Sequence, residues 1–248
     1  MSVFGIGLHV LVALFFAVHV VRSGQQLYWL MILFLFPLLG SIVYFFAIYL
    51  PNSRLDHGAR KAVGAAARAL DPSRELREAR AAFDYTPTAQ NQMRLAAAQL
   101  EAGAADEAAA SYEACLQGAF ASDLEIRYGA ARANLACARA AAALGHLQFI
   151  RQTNPHFRPE PVSLLTAQAL AAAGRQDQAK AEFEFALAHY GSFAARAEFA
   201  IWAASTGDAA LAAQLRPELQ RTMERWNRHT RDMNAPLIRR LNAALGKI

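Results

Sequence analysis

Residues 169–190 have the sequence ALAAAGRQDQAKAEFEFALAHY, whose pattern predicts the fold of the segment. Gly174 interrupts a helical pattern, Ala179 follows five residues later, and Phe183 follows four residues after that. A glycine ends a helix readily because its missing Cβ permits a left-handed turn. The alanine then falls where the second helix must approach the first, and a larger side chain would push the two apart. The segment therefore predicts a tightly packed pair of helices.

The same pattern occurs in two other segments, QLEAGAADEAAASYEACLQ at residues 99–117 and WAASTGDAALAAQLRPELQ at residues 202–220. The aligned glycines are Gly103, Gly174 and Gly207, which are separated by 71 and then 33 residues. The first interval is about twice a unit of roughly 34 residues. The sequence therefore predicts a helical repeat, and its high alanine content favours an all-α fold on propensity alone.

Residues 123–162 lie between the repeats and are periodic in apolar residues up to a proline-punctuated loop. They predict a further helix pair with a degenerate turn. In the three clear units an aspartate follows each glycine and is expected to be the N-cap of the second helix. The three predicted caps are Asp106, Asp177 and Asp208.

Two units resemble the tetratricopeptide-repeat family. The matching residues are Leu95, Ala96, Gly103, Ala108 and Tyr112 in one unit, and Ala167, Gly174, Ala179, Phe183 and Ala186 in the other. In the last unit Arg216 replaces the aromatic residue, which indicates a divergent end repeat with a solvent-facing outer side. The resemblance implies an α-solenoid whose first helices line a groove for a peptide or helix of a protein partner. The implied groove residues are Gln90, Met93, Ala97, Leu100, Leu164, Gln168, Ala197 and Ile201. Packing within the repeat stack is the alternative role for all eight.

Before the repeats the chain is strongly apolar. Residues 28–50, YWLMILFLFPLLGSIVYFFAIYL, carry no charge and would reach roughly 35 Å as one helix, more than the roughly 30 Å hydrocarbon core of a bilayer. Residues 3–21 are similarly apolar. We therefore expect a hairpin of two transmembrane helices.

The cations near this hairpin predict its orientation. Arg54, Arg60, Lys61 and Arg68 follow the second apolar stretch, whereas the loop between the stretches contains only Arg22. Positive flanks stay in the cytoplasm, so both termini are expected there, with the hairpin in a bacterial inner membrane.

Within the hairpin, His9 and His19 are ionisable residues in an apolar helix and hence candidates for function. They are too far apart along a helix to share one metal ion. The alternatives are placement at the membrane interface and a hydrogen bond to a residue such as Ser41 or Tyr44.

The second apolar stretch resembles the N-terminal membrane hairpin of bacterial cardiolipin synthases, which is named the phospholipase D nuclease N-terminal family. The residues that carry this resemblance are Trp29, Leu30, Ile32, Leu33, Pro37, Leu38, Leu39, Gly40 and Tyr44. That family's catalytic motifs pair a histidine with a lysine two positions later. No histidine in this chain has such a lysine. The resemblance therefore implies an anchor without the transferase chemistry.

Charge and cysteine content exclude several further classes of function. The net charge is +5, and part of it comes from arginines near the C-terminus. Arg221, Arg225, Arg228 and Arg231 could contact an anionic surface such as lipid headgroups, or could simply form a solvated helix face with neighbouring glutamates. No nucleic-acid module is recognisable. Cys115 and Cys137 have no partners at ligand spacing, so neither a metal site nor a disulfide framework is expected.

The predicted organisation is a transmembrane hairpin at 1–53, a connecting helical segment at 54–88, repeats at 89–222 and C-terminal capping helices at 223–248 that are separated near Ala235-Pro236. The predicted function is a membrane-anchored adaptor or scaffold that binds a protein partner, without catalysis, cofactor or metal. The alternatives are an assembly component of an envelope machine, in a polysaccharide or haem pathway, and a lipid-handling protein of the phospholipase D type.

Overall fold

A computed structural model describes residues 3–22, 26, 28–45 and 73–246 of the chain. The chain divides into two compact units, residues 1–72 and residues 73–248. The boundary predicted between residues 53 and 54 lies outside the described residues, as do the cations that predicted the orientation. The two units are therefore taken in turn.

The first unit contains α1 (Val3–Arg22), α2 (Tyr28–Leu35) and α3 (Pro37–Tyr44). The apolar stretch that starts at Tyr28 does not form one continuous helix. Phe36 leaves helical geometry, with φ −133° and ψ 74°, because the ring of Pro37 disfavours the helical conformation of the residue before it. The helices α2 and α3 have 8 residues each. Each is therefore only about 12 Å long.

The transmembrane prediction is corrected by these helices. Over the described ranges 3–22, 28–45 and 73–246, none of the helices combines the length and the apolar character needed to cross a membrane. The predicted two-pass inner-membrane location with cytoplasmic termini is therefore wrong. The prediction counted uncharged residues from 28 to 50 and treated Pro37 only as a residue that loosens the helix, whereas α2 ends before it and α3 begins at it.

The core of the first unit is built around Tyr44, which is fully buried together with Val20 and Leu33. The Tyr44 hydroxyl lies 2.9 Å from Nδ1 of His19, which confirms the predicted hydrogen bond between the two side chains. Trp29 packs edge-on against the Tyr44 ring at 5.4 Å between ring centroids. The side chain of His9 lies outside the described part of the chain.

The second unit is all-helical as far as it is described, and it confirms the predicted series of helix pairs. A leading helix α4 (Arg74–Tyr85) packs on the first pair. The pairs are α5 (Ala89–Glu101) with α6 (Ala105–Cys115), α7 (Leu124–Ala136) with α8 (Ala140–Thr153), α9 (Pro159–Ala172) with α10 (Gln176–Tyr190), and α11 (Phe193–Ser205) with α12 (Ala209–Glu224). A short 3₁₀ helix (Gly118–Phe120) follows α6, and α13 (Arg228–Met233) and α14 (Ala235–Leu245) end the unit.

One turn geometry joins the two helices of every pair. Gly103, Gly174 and Gly207 have φ values of 82°, 76° and 79°. In each turn the amide after this residue donates to the carbonyl five residues before it, at 2.8 to 2.9 Å. This hydrogen bond satisfies a carbonyl that the end of the first helix would otherwise leave free. In the second pair the same turn is made by Ala138, with φ 59°.

The caps of the second helices differ from the prediction at two of three positions. The Asp208 carboxylate accepts from the amide of Leu211 at 3.0 Å and caps α12 as expected. Asp106 and Asp177 instead lie inside the first turns of α6 and α10. They stand three residues after their glycines, whereas Asp208 follows Gly207 directly. Their carboxylates still favour the helix because its N-terminus is the positive end of the dipole.

Small residues are fully buried at matching positions of the second helices. Ala108, Ala143 and Ala179, each five residues after a turn, have no exposed surface. Between the first two pairs the ring of Tyr112 lies against Gly129, where an added Cβ would be 2.3 Å from a ring carbon. The helices therefore approach to distances at which an extra carbon has no room.

The last pair is covered by α14. Leu241 of α14 is fully buried in one cluster with Leu215 and Leu219 of α12, and Arg216 Nη1 donates to the carbonyl of Leu245 at 3.4 Å. The outer side of the last repeat is therefore partly enclosed, where the sequence predicted exposure to solvent. The break between α13 and α14 falls at Asn234, beside the predicted Ala235-Pro236, because Pro236 can occupy a first helical turn but not a helix interior.

Ala138→Gly is expected to stabilise the chain by about 0.5–1 kcal/mol, because glycine avoids the steric cost of a Cβ in the left-handed region. Part of this gain is lost because glycine gives up more backbone entropy on folding than alanine does. Urea unfolding followed by far-UV circular dichroism measures this change. The control is Ala136→Gly at the exposed last residue of α7, which should lower stability by no more than about 0.5 kcal/mol because the full cost of glycine applies to helix interiors. A loss of stability in Ala138→Gly would contradict the turn assignment.

Candidate protein-binding surface

The first helices of the four pairs share one side of the repeat unit. Each of α5, α7 and α9 also packs against the next first helix along the chain, whereas successive second helices are held further apart. A stack whose members are closer on one side curves towards that side. The first helices α5, α7, α9 and α11 therefore line the concave surface.

The eight residues predicted for this surface fall into two groups. Leu164 and Ala197 are buried in the core, Ala197 completely, so they contribute to repeat packing and are not open to a partner. The remaining residues keep exposed surface: Gln90 is exposed, and Met93, Ala97, Leu100, Gln168 and Ile201 are half-buried. The accessible lining is therefore mainly apolar, with glutamine amides at Gln90 and Gln168.

The second pair adds three residues that the sequence did not predict. Tyr128, Arg132 and Leu135 of α7 stand at the same repeat positions as predicted residues of α5, and all three retain exposed surface. The sequence did not show which residues of this pair correspond to those of the other pairs, because its turn residue is Ala138 and not a glycine. A signal was present, since an alanine and a large apolar residue follow Ala138 at the same five- and nine-residue spacing as they follow Gly103 and Gly174.

Charge on this surface is concentrated near α7. Burial raises the pKa of the Tyr128 phenol, and the nearby Arg132 and Arg158 act in the opposite direction. The phenol therefore stays neutral at physiological pH and can donate a hydrogen bond. Arg158 lies 5.4 Å from the Tyr128 ring centroid and pairs with Glu125 at 2.9 Å. Arg132 is exposed, and it has no ion pair within residues 73–246.

Three polar contacts link neighbouring repeats. Each joins residues 33 positions apart, which is about one repeat length. The Asp106–Arg139 and Glu125–Arg158 pairs are exposed by about half or more, and each stabilises by no more than about 1 kcal/mol. The His146 side chain is only 11% exposed, and its contact with Glu113 is a hydrogen bond that becomes an ion pair only when the imidazole is protonated. The pairs are Asp106 with Arg139 at 2.6 Å, Glu113 with His146 at 2.7 Å, and Glu125 with Arg158 at 2.9 Å.

The C-terminal arginines predicted to contact an anionic surface are all exposed: Arg221, Arg225, Arg228 and Arg231. Two of them already have partners in the protein. Arg231 Nη2 donates to the carbonyl of Met223 at 2.8 Å, and Arg228 lies 3.9 Å from the Asp232 carboxylate. Contact of this group with an anionic surface stays a prediction.

The two cysteines are free thiols, with Cys115 buried and Cys137 half-buried. Burial raises the pKa of both, so they are protonated and weakly nucleophilic at neutral pH. Across the described ranges, no cluster of three or more His, Cys, Asp or Glu residues is arranged to hold a metal ion. The chemistry that the surface offers is therefore apolar contact, amide hydrogen bonding and the exposed guanidinium of Arg132.

The end of the surface is fixed by an ion pair between α11 and α14. The Glu198 carboxylate is almost fully buried, and both of its oxygens accept from the guanidinium of Arg240 at 2.7 and 2.9 Å. A paired geometry of this kind is the strongest that a carboxylate and arginine can adopt. The ion pair compensates the buried charge of Glu198 on α11, which is the first helix of the last pair.

The fold is similar to that of a thermophilic TPR (tetratricopeptide-repeat) protein of Thermus thermophilus. Its crystal structure aligns with a TM-score of 0.55 and 21% identity over 74% of this chain and 96% of that one. This likeness shows a TPR-like helical-repeat fold. No protein-family model matches the chain and no curated protein matches it. The resemblance of residues 29–44 to the cardiolipin synthase hairpin is therefore not supported.

Arg240→Gln is expected to lower the free energy of unfolding by about 1–2 kcal/mol, because it leaves Glu198 buried without its partner. The estimate is moderate because Arg240 itself is half-exposed. The matched control is Arg239→Gln, at a neighbouring exposed arginine, which should change stability by less than about 0.5 kcal/mol. Equal effects of the two substitutions in urea unfolding would refute the role of the ion pair.

Proposed function

We propose that this chain is a protein-interaction scaffold that binds a segment of a partner protein on the concave surface of its helical repeat. The observation that carries the proposal is a row of part-exposed apolar side chains on three of the four first helices. Met93 and Leu100 on α5, Leu135 on α7 and Ile201 on α11 form this row. No part of the function requires catalysis.

The energetics favour an apolar segment as the ligand. Covering exposed apolar surface contributes about 25 cal/mol per Å². The surface belongs to rigid helices, so little entropy is lost when a ligand binds. The amides of Gln90 and Gln168 lie on the same side and can pair with polar backbone groups of the ligand. A peptide or helix with several apolar side chains fits these features.

The alternative of an envelope-machine component uses the same surface and differs only in the identity of the partner. A phospholipase D-type activity has no support in the sequence, since its histidine–lysine motif is absent. The proposal therefore specifies the binding surface and the chemistry of the ligand.

Site-specific photocrosslinking in cells tests this function. A photoreactive amino acid replaces Gln168 on the concave surface or, as a control, Glu184, which is exposed on a second helix. We expect Gln168 to capture a defined partner segment, identified by mass spectrometry, that Glu184 does not capture. Equal capture of the same proteins from both positions would contradict the proposed surface.

A blocking substitution makes the experiment sharper. Ala97→Arg places a bulky charge on the apolar row and should reduce crosslinking from Gln168 at least tenfold. Ala110→Arg, at an exposed position of α6, should leave crosslinking unchanged. Circular dichroism confirms that both variants are folded. Full crosslinking in Ala97→Arg would argue against the concave surface.

A further inference from the structure

A second groove lies on the opposite side of the repeat unit, between the second helices α8 and α10. Two cavities of about 670 and 380 Å³ form it, and both are lined by Arg151, Glu182 and Phe185. Together their lining extends from Arg175 to Tyr190 along α10. This corresponds to about 22 Å at 1.5 Å per residue. We name this feature the outer groove.

The outer groove exists because α8 and α10 are spaced apart over α9. Thr166 and Leu170 of α9 form its floor, and Ala181 of α10 is too small to fill the gap. Leu144 of α8 and Phe185 of α10 complete an apolar patch in the larger cavity. Phe185 remains 48% exposed, which is high for a phenylalanine beside a groove floor. The patch can therefore accept a large apolar side chain.

The middle of the outer groove is held by a charge network. Arg151 pairs with Glu182 through two hydrogen bonds, and the hydroxyl of Ser163 donates to the same carboxylate at 2.5 Å. Ser163 is buried, so the network ties α8 and α10 to the interior of α9. The charge of Glu182 is thereby neutralised, and the two walls are fixed before any ligand binds.

The uncompensated charge of the lining is positive. Arg175 is exposed at the start of α10, and its guanidinium makes no ion pair or hydrogen bond with residues 73–246. The exposed amides of Gln148, Gln152 and Gln178 line the same cavity and offer both donors and acceptors. A carboxylate is the complementary group for Arg175, and a polypeptide backbone is complementary to the amides.

We propose that the outer groove binds an extended segment of a partner protein that carries one large apolar side chain and one carboxylate. A length of about 22 Å matches six or seven extended residues at roughly 3.3 Å each. Arg175 and Phe185 are about 15 Å apart along α10, so the two recognition groups are four or five residues apart in the segment. This site is separate from the concave surface and does not depend on the function proposed above.

Peptide selection tests the outer groove. A random library of twelve-residue peptides displayed on phage is selected on the immobilised full-length chain. Enriched peptides should share an aromatic or leucine residue four or five positions from Asp or Glu. Their synthetic counterparts are then measured by fluorescence anisotropy on variants of the chain.

Two variants alter the groove and two are controls. Ala181→Trp, which fills the groove, should weaken binding at least tenfold, and Arg175→Glu should weaken it at least fivefold. Ala110 stands seven residues after Gly103 as Ala181 stands after Gly174, so Ala110→Trp is the register-matched control and should bind normally. Ala97→Arg on the concave surface should also bind normally. All four positions keep exposed surface, and circular dichroism checks the fold.

The outcomes separate the two surfaces. Peptides that lose affinity for Ala97→Arg but not for Ala181→Trp or Arg175→Glu would overturn the outer groove and support the concave surface. Failure to enrich any peptide would also overturn the outer groove. Neither result alters the crosslinking test of the concave surface, because that test uses a natural partner in cells and a different side of the repeat.

Discussion

Close approach between helices is the constraint on which the repeat unit depends. Ala108, Ala143 and Ala179 have no exposed surface, each at the same distance after a turn, and Gly129 lies directly against the ring of Tyr112. Well-packed interiors leave almost no free volume, so helices separated by one more carbon would lose many contacts at once. Small residues at these positions fix both the spacing within a pair and the spacing between pairs.

The two candidate binding surfaces follow from that spacing. First helices pack against one another along the chain while second helices are held apart, so one side of the stack is concave and the other is open between helices. The concave side presents a row of apolar side chains, and the open side contains the outer groove over Leu170. Charge networks such as Arg151 with Glu182 hold these surfaces in place, because they join helices from different pairs.

Much of the repeat could be predicted from the sequence because its signals are local. A glycine in a left-handed turn and an alanine five residues later are visible in any one segment. The second pair could not be aligned with the other three from the sequence, because its left-handed turn residue is Ala138 where the others have glycine. Burial of Ala197, the pairing of Glu198 with Arg240 and the outer groove depend on residues distant in sequence. The membrane prediction failed because a count of apolar residues ignores the break at Pro37.

The most direct test of the central constraint compares two glycines inside neighbouring helices. An added Cβ at Gly129 would lie 2.3 Å from the Tyr112 ring, whereas a Cβ at Gly145 would meet no atom within 4 Å other than its chain neighbours and its own helix backbone. Alanine favours helix over glycine, so Gly145→Ala should raise the free energy of unfolding by up to about 1 kcal/mol. Gly129→Ala should lower it by about 1–3 kcal/mol, because the ring cannot move aside in a packed interface. Equal stabilisation by both substitutions would contradict the account.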